Sequence, residues 1–413
     1  MELEVNQAPS EVMHIDLNSA FAMTEQQANP LLRGKPVGVT NRLNDYAICI
    51  AASYEAKQYG VNLGTRNRDA RYRIPGFVML ETDPAKYQHV HRQLKAIMQS
   101  YSPTAFMKSI DEGIIDFRNM QAILKGRSLE SIGQEIKERI RREIGDYMTV
   151  NVGIGQNRWL AKLAAGFMKP DGLYIIDRSN LELTYSLLKL TDLPYIAARL
   201  KVRLYEAGIY TPYELFHTPE RTLTKQVFKS INGHHWYLKL RGYETEVESG
   251  IRTVGRSYVL EHRTANPEEL AALWHKSAIK IARRLARNNL AARGLLLYLQ
   301  YTDPPYRWYQ RQMYHEPARR VDQLYQRALD LFAQSPEGVV VSSMAMTAYA
   351  VEPYQRQQLQ LYDDQGPRQE RLEDAMNTLN DRYGELSVLP GGAWASRNPM
   401  KDKIPFGTIR YFD

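Results

Sequence analysis

The first hydrophobic cluster of the chain, Val12-Met13-His14-Ile15-Asp16-Leu17, is short and almost continuous, the pattern of a buried strand, and it delivers a carboxylate near its end. Residues 19–27 can then start a helix. Residues 35–39 and 46–51 read as two strands around a polar turn, followed by a helix over 53–59 that stops at Gly60. Residues 87–101 are helical in period, and 109–116 read as a strand hairpin with two acids, Asp111 and Glu112, at its turn. Behind Ser128, a good N-cap, Leu129, Ile132, Ile136, Ile140 and Ile144 recur three or four apart and define one buried helix face ending at Gly145. A strand at 149–154 and a helix at 158–168 continue the alternation, so the expected class is α+β, with helices covering a sheet. Residues 181–243 lack strand patterning and read as helical. Beyond an acidic linker, the order strand (253–260), helix (267–289), strand (293–301), strand (308–315), helix (319–333), strand (339–351) describes a βαββαβ unit. After Pro353 the chain turns polar and rich in glutamine, a tail with one helix at 371–383.

A length of 413 residues exceeds one ordinary core and implies about three or four domains. No apolar run approaches the roughly 20 residues that span a bilayer, and the N-terminus carries acids and proline rather than a secretory signal. The expectation is a cytoplasmic, nucleoid-associated monomer with no membrane partner. The single cysteine, Cys49, between Ile48 and Ile50, excludes an internal disulfide and a cysteine zinc site. A net charge of +8 favours a polyanionic partner. Its location is more informative: basic residues recur from Arg252 to Arg327, interleaved with tyrosine and tryptophan, as in a surface that grips phosphates. Solvated helix faces over core aromatics would give the same pattern.

Asp111 and Glu112 adjoin, and neighbouring carboxylates repel unless a cation lies between them. With Asp16 they supply hard oxygen ligands of the kind Mg²⁺ takes, a few carboxylates completed by water and phosphate oxygens. Two such ions, about 3.5 to 4 Å apart, can activate a hydroxyl nucleophile and stabilise a leaving phosphate. Acid pairs in surface turns are common, so spacing alone leaves a solvated turn as the simpler account.

Five segments in one order change that balance: His14-Ile15-Asp16-Leu17-Asn18-Ser19-Ala20-Phe21-Ala22, Ala51-Ala52-Ser53-Tyr54-Glu55-Ala56-Lys57, Tyr101-Ser102-Pro103, Ser109-Ile110-Asp111-Glu112 and Lys169-Pro170-Asp171-Gly172. Together they resemble the Y-family DNA polymerases, and most of all the bacterial DNA polymerase IV group. The resemblance implies a right-hand polymerase with palm (1–19 and 80–172), fingers (20–79), helical thumb (173–243), linker (244–252), a DNA-gripping little finger (253–353) and a C-terminal tail (354–413). It implies low-fidelity, template-directed extension of a primer 3′-hydroxyl with dNTPs in translesion synthesis. Asp16, Asp111 and Glu112 match the acids that hold two Mg²⁺ ions, with the carbonyl of Leu17 as a further ligand. Phe21 matches the steric gate that excludes a 2′-hydroxyl. Tyr54, Lys57 and Lys169 match positions that bind the triphosphate, and Ile48, Ile50 and Gly64 the roof over the new base pair. Arg252 and Arg256 are the leading phosphate contacts, and Gln358-Leu359-Gln360-Leu361-Tyr362 resembles the motif that binds the bacterial sliding clamp.

The chain also departs from the family pattern. Lys57 stands where arginine is common, which replaces a bidentate grip on phosphate by a point charge. Ala20 occupies a position usually aromatic. Ile48 and Ile50 are bulkier than the residues of the most permissive members, so large adducts on the template base should be less well tolerated. Leu193-Pro194-Tyr195-Ile196-Ala197 resembles the helix-hairpin-helix region without the glycines that let backbone approach phosphate closely. Two rival readings remain: a non-catalytic, polymerase-like accessory protein of a mutasome, against which all three acids argue, and a metal-dependent nuclease, which leaves Phe21, Tyr54 and Lys169 without a role.

Overall fold

The structure, a computed structural model, describes residues 3–120, 124, 126–245, 250–302, 304–354, 365–384, 386–394 and 400. The clamp-motif residues Gln358, Leu359, Leu361 and Tyr362 lie outside them. The chain forms two compact units that meet in sequence at residues 247 and 248.

The first unit is built on a five-stranded sheet in the order β5-β6-β1-β7-β8, comprising β1 (Val12–Leu17), β5 (Phe106–Met107), β6 (Glu112–Asp116), β7 (Val150–Gly155) and β8 (Leu173–Ile175). Strand β1 lies at its centre, antiparallel to both neighbours, which is why it reads as a nearly continuous apolar run: Val12, Met13 and Ile15 are all fully buried. The helices Pro84–Tyr101 and Leu129–Glu143 cover the face that carries Met13 and Ile15, and the hydroxyl of Ser128 caps the second by accepting from the Ser131 N–H. Ile132, Ile136 and Ile140 are buried there, as their spacing requires. The helix Arg158–Ala164 lies on the opposite face, pressed onto β7: a side chain at Gly153 would collide with the backbone of Ala161 and Ala165. This close approach sets the height of Lys162 above the sheet.

A smaller three-stranded sheet places β2 (Val37–Thr40) between β3 (Cys49–Ala52), antiparallel to it, and β4 (Val78–Glu81), parallel to it. The Ser53 hydroxyl starts the helix Tyr54–Gln58 by accepting from the Ala56 N–H, and it also accepts from the Val37 N–H at 3.1 Å. That double contact ties the helix to the sheet. Strand β4 was not expected from the sequence, since Phe77-Val78-Met79-Leu80 is a short unbroken apolar run that periodicity alone cannot tell from a piece of buried helix. Residues 181–240 form short helices around a core that includes Tyr185, Leu215, Phe216 and Trp236.

The second unit contains a four-stranded antiparallel sheet in the order β11-β10-β12-β9, with β9 Thr253–Thr264, β10 Leu290–Tyr301, β11 Arg307–Ala318 and β12 Val341–Pro353. The helices Pro267–Arg287 and Val321–Phe332 pack on one of its faces, giving the βαββαβ order expected. Beyond β12 the described residues do not form a free tail. The helix begins at Gln365, not residue 371, and runs to Tyr383; Asp381 on it pairs with Arg283 and Arg287, and Ala393 and Met400 beyond it are fully buried. Its weak amphipathic pattern hid this docking.

Glu373 on that helix accepts the Val321 N–H at 3.0 Å, at the start of the helix Val321–Phe332, and burial pushes its carboxyl up to about 7. A carboxyl raised in the folded state stabilises most when protonated, so its contribution is complete below the ordinary value of 4.5 and is lost as pH rises through about 7. Melting temperature should therefore fall between pH 5 and pH 8, and Glu373→Gln should flatten that fall. Identical pH slopes for the two proteins would sink the assignment.

Candidate active site

Strand register decides which acids can meet. Asp16 lies directly opposite Glu112 across the β1–β6 pair, so both project from the face that the helix Arg158–Ala164 covers. The Leu17 N–H donates to the Asp111 carbonyl at 2.9 Å, which holds the turn before β6 against the end of β1. A cavity of about 270 Å³ opens there, lined by Asp16, Leu17 and Asp111, by Phe21, Ile50, Tyr54 and Lys57 from the other wall, and by Lys169.

Each carboxylate has its own partner. Lys169 donates to Asp16. The ammonium of Lys162 reaches both oxygens of Glu112, at 2.8 and 2.6 Å, and Nε2 of the buried His14 bonds the same carboxylate at 3.1 Å. A carboxylate oxygen only accepts, so Nε2 is the donor in this bond. Burial raises Glu112, yet His14 and Lys162 outweigh it and hold the carboxyl down at about 2. Asp111 is pushed up, by burial first and also by Asp16 and Glu112, while the Ser109 hydroxyl that donates to it acts in the other direction. As folded, the carboxylates are turned to separate partners, and among the described residues no group of three acid, histidine or cysteine side chains is gathered closely enough to ligate one ion. The donor set still fits Mg²⁺: these are hard oxygen ligands, and Asp111 and Asp16 line one cavity with the Leu17 backbone beside them.

The opposite wall holds aromatic and cationic groups. Phe21, 6% exposed, stacks on Tyr87 with ring centroids 4.5 Å apart, and the Tyr87 hydroxyl donates to Glu25 at 2.8 Å. Burial and the nearby Asp16 raise Tyr54, so its phenol stays a neutral donor. Lys57 lies 4.4 Å from the Tyr54 ring centroid and donates to the Ser19 hydroxyl at 2.6 Å. Burial, then Lys169, lower its ammonium. Ile50 lines the cavity, whereas Ile48 is 47% exposed and bridges to Arg66 outside it. Gly64 has φ +89°, a conformation that favours glycine, and its N–H donates to the Cys49 carbonyl between those two isoleucines.

In the second unit Arg252 is exposed just before β9. Arg256 shares its register parity with the buried Val254 and Tyr258 and lies opposite the buried Met346, on the helix-covered face. The open face instead carries Arg307 and Arg311 of β11, in the same cross-strand rows as Val259 and Gly255. The alternation around Arg256 was visible in the sequence; the helix side of the sheet was not. His14, Lys162 and Tyr87 also escaped the sequence reading, because each acts on a residue distant in the chain.

Residues 15–166 match the impB/mucB/samB family and residues 251–361 match the impB/mucB/samB family C-terminal domain. DNA polymerase IV of Pelotomaculum thermopropionicum is 30% identical over 386 residues, 92% of this chain and 94% of that one. DNA polymerase IV 1 of Bacillus subtilis is 27% identical over 402 residues, 95% of each chain. Among solved structures, a Y-family DNA polymerase chimera of Dbh and Dpo4 aligns with a TM-score of 0.69 at 22% identity, over 83% of this chain and 99% of that one. An insertion ternary complex of Dbh DNA polymerase aligns with a TM-score of 0.59, also at 22% identity, over 82% and 98%. Fold and relatives together define a DNA-directed DNA polymerase. The chain belongs to the Y-family, the translesion polymerases, in its DinB-like branch.

Proposed function

We propose that this polymerase extends a primer 3′-hydroxyl with dNTPs by two-metal-ion nucleotidyl transfer, at low fidelity, during damage tolerance. The observation that carries the reading is the shared cavity: Asp16, Leu17, Asp111, Phe21, Tyr54, Lys57 and Lys169 all line it, with Glu112 opposite Asp16 in the sheet. Asp16, the Leu17 carbonyl, Asp111 and Glu112 would hold two Mg²⁺ ions, which activate the primer hydroxyl and offset charge on the leaving pyrophosphate. The neutral Tyr54 phenol and the ammonium groups of Lys57 and Lys169 bind the triphosphate. The Phe21 ring closes the sugar side of the pocket and Ile50 its roof.

The helix-free face of the second sheet, with Arg307 and Arg311, would lie along primer–template DNA, with Arg252 as a further phosphate contact. Primer extension with Mg²⁺ on a primed template tests the reading. Growth of the primer supports it, shortening would indicate a nuclease, and bare gel retardation an accessory protein. The proposal extends to the bacterial sliding clamp, bound by a monomer through residues 358–362. Deleting that segment should remove stimulation by the clamp and leave unassisted extension intact; stimulation that survives the deletion would end this part of the proposal.

A further inference from the structure

We propose that Asn18 is a positioning residue for the incoming nucleotide: its buried carboxamide, joined to that of Asn151, holds the segment 167–172 so that Lys169 meets the triphosphate in register with Asp16. The inference rests on the polymerase reading above and names the groups that keep its phosphate-side cation in place. Lys169 belongs to a loop that does not hold itself. Met168 has φ +54° and Asp171 φ +59°, a region that residues with a Cβ seldom adopt. The turn is also tight, since a Cβ at Gly172 would come within 2.6 Å of the Met168 carbonyl. Such a conformation persists only where its surroundings impose it.

Two buried side-chain amides do so. Asn18 Nδ2 donates to Asn151 Oδ1 at 2.9 Å. Asn18 Oδ1 accepts the Asp171 N–H and the Thr149 hydroxyl, each at 2.9 Å. Asn151 Oδ1 also accepts the Gly172 N–H at 3.3 Å, and its Nδ2 donates to the Phe167 carbonyl at 2.7 Å. The pair thus binds the backbone on both sides of Lys169, with donor meeting acceptor at each step. Lys137 donates to the Asp171 carbonyl and Arg141 pairs with its carboxylate, which anchors the loop to the helix Leu129–Glu143. Asn18 anchors it to the strand end that carries Asp16, two residues earlier. One strand end therefore places both the metal-side acid and the phosphate-side cation, and Lys169 donates to Asp16 as folded. Asn18 does not itself line the cavity, so it acts through the loop.

Hydrogen exchange on the full chain reads the loop directly. In Asn18→Ala the Asp171 and Gly172 amides should exchange at least about tenfold faster than in the unaltered protein, and an unchanged rate would overturn the proposal. In primer extension Asn18→Ala should raise KM for dNTP about tenfold, with the Kd for primed template within about twofold. Because the loss runs through Lys169, it should not add to that of Lys169→Gln: the double variant should match Lys169→Gln alone, and multiplied losses would overturn the proposal. Thr149→Val removes one hydroxyl and spares both amides, so it keeps the test open should Asn18→Ala fail to fold. It should shift KM the same way by a smaller factor, and Thr149→Ser should restore the unaltered value. An unchanged KM in both Asn18→Ala and Thr149→Val would also overturn the proposal. An unaltered chain that extends no primer would sink the polymerase reading instead, with the exchange rates still deciding whether Asn18 holds the loop.

Discussion

Asp111→Ala is expected to lower primer extension by at least about a thousandfold, the scale of losing one charge-stabilising group at a reacting phosphate, while primed-template binding persists. The folded state gives this expectation its shape. Burial and the charges of Asp16 and Glu112 already press Asp111 toward its neutral form, so its carboxylate costs the fold more than it contributes. Removing it relieves repulsion, and the melting temperature should hold or rise as activity vanishes. Opposite signs for stability and activity distinguish a residue kept for chemistry from one kept for structure. Single-turnover extension beside a thermal melt checks both, and synthesis within tenfold of the unaltered protein would remove Asp111 from the metal-binding set.

Phe21→Ala should relax sugar selection, lowering the preference for dNTP over rNTP by about a hundredfold, the order of what a shaped pocket achieves by contact alone. The ring is held from behind by Tyr87, whose hydroxyl is itself fixed on Glu25, so it cannot swing aside for a 2′-hydroxyl. Truncating a buried phenylalanine also costs about 3 kcal/mol of stability. The quantity to compare is therefore the ratio of kcat/KM for the two nucleotides, which does not depend on the fraction of folded enzyme. An unchanged ratio would take the gate role from Phe21.

Where one strong period governed a segment, the sequence was enough. Strand β1, buried on both faces, and the helix Leu129–Glu143, with its isoleucine stripe, are found where the pattern puts them, and the βαββαβ order recurs with longer strands. Short or weakly patterned elements were not legible: β4 has four residues, and the polar helix Gln365–Tyr383 docks through arginine–aspartate pairs rather than an apolar stripe. In the site, Asp16, Asp111, Tyr54, Lys57 and Lys169 could be singled out because each stands in a short motif, and they line one cavity. His14 and Lys162 could not, since they meet Glu112 across 98 and 50 residues of chain, and no local pattern encodes such a meeting. Arg256 shows a different limit: alternation assigns residues to two faces but does not say which one the helices cover.

Lys169 on Asp16 and Lys162 on Glu112 mean that this acidic site folds with its own counter-ions built in. Two of its three carboxylates are paired before any nucleotide arrives, so those two do not depend on an ion to hold them in place. The corollary is a form of interlock. Lys169 can turn to a phosphate only when Asp16 has another cation, and Asp16 gives up Lys169 most readily when a phosphate is there to receive it. Affinity for the divalent ion and affinity for the triphosphate should then rise together, each measured in the presence of the other.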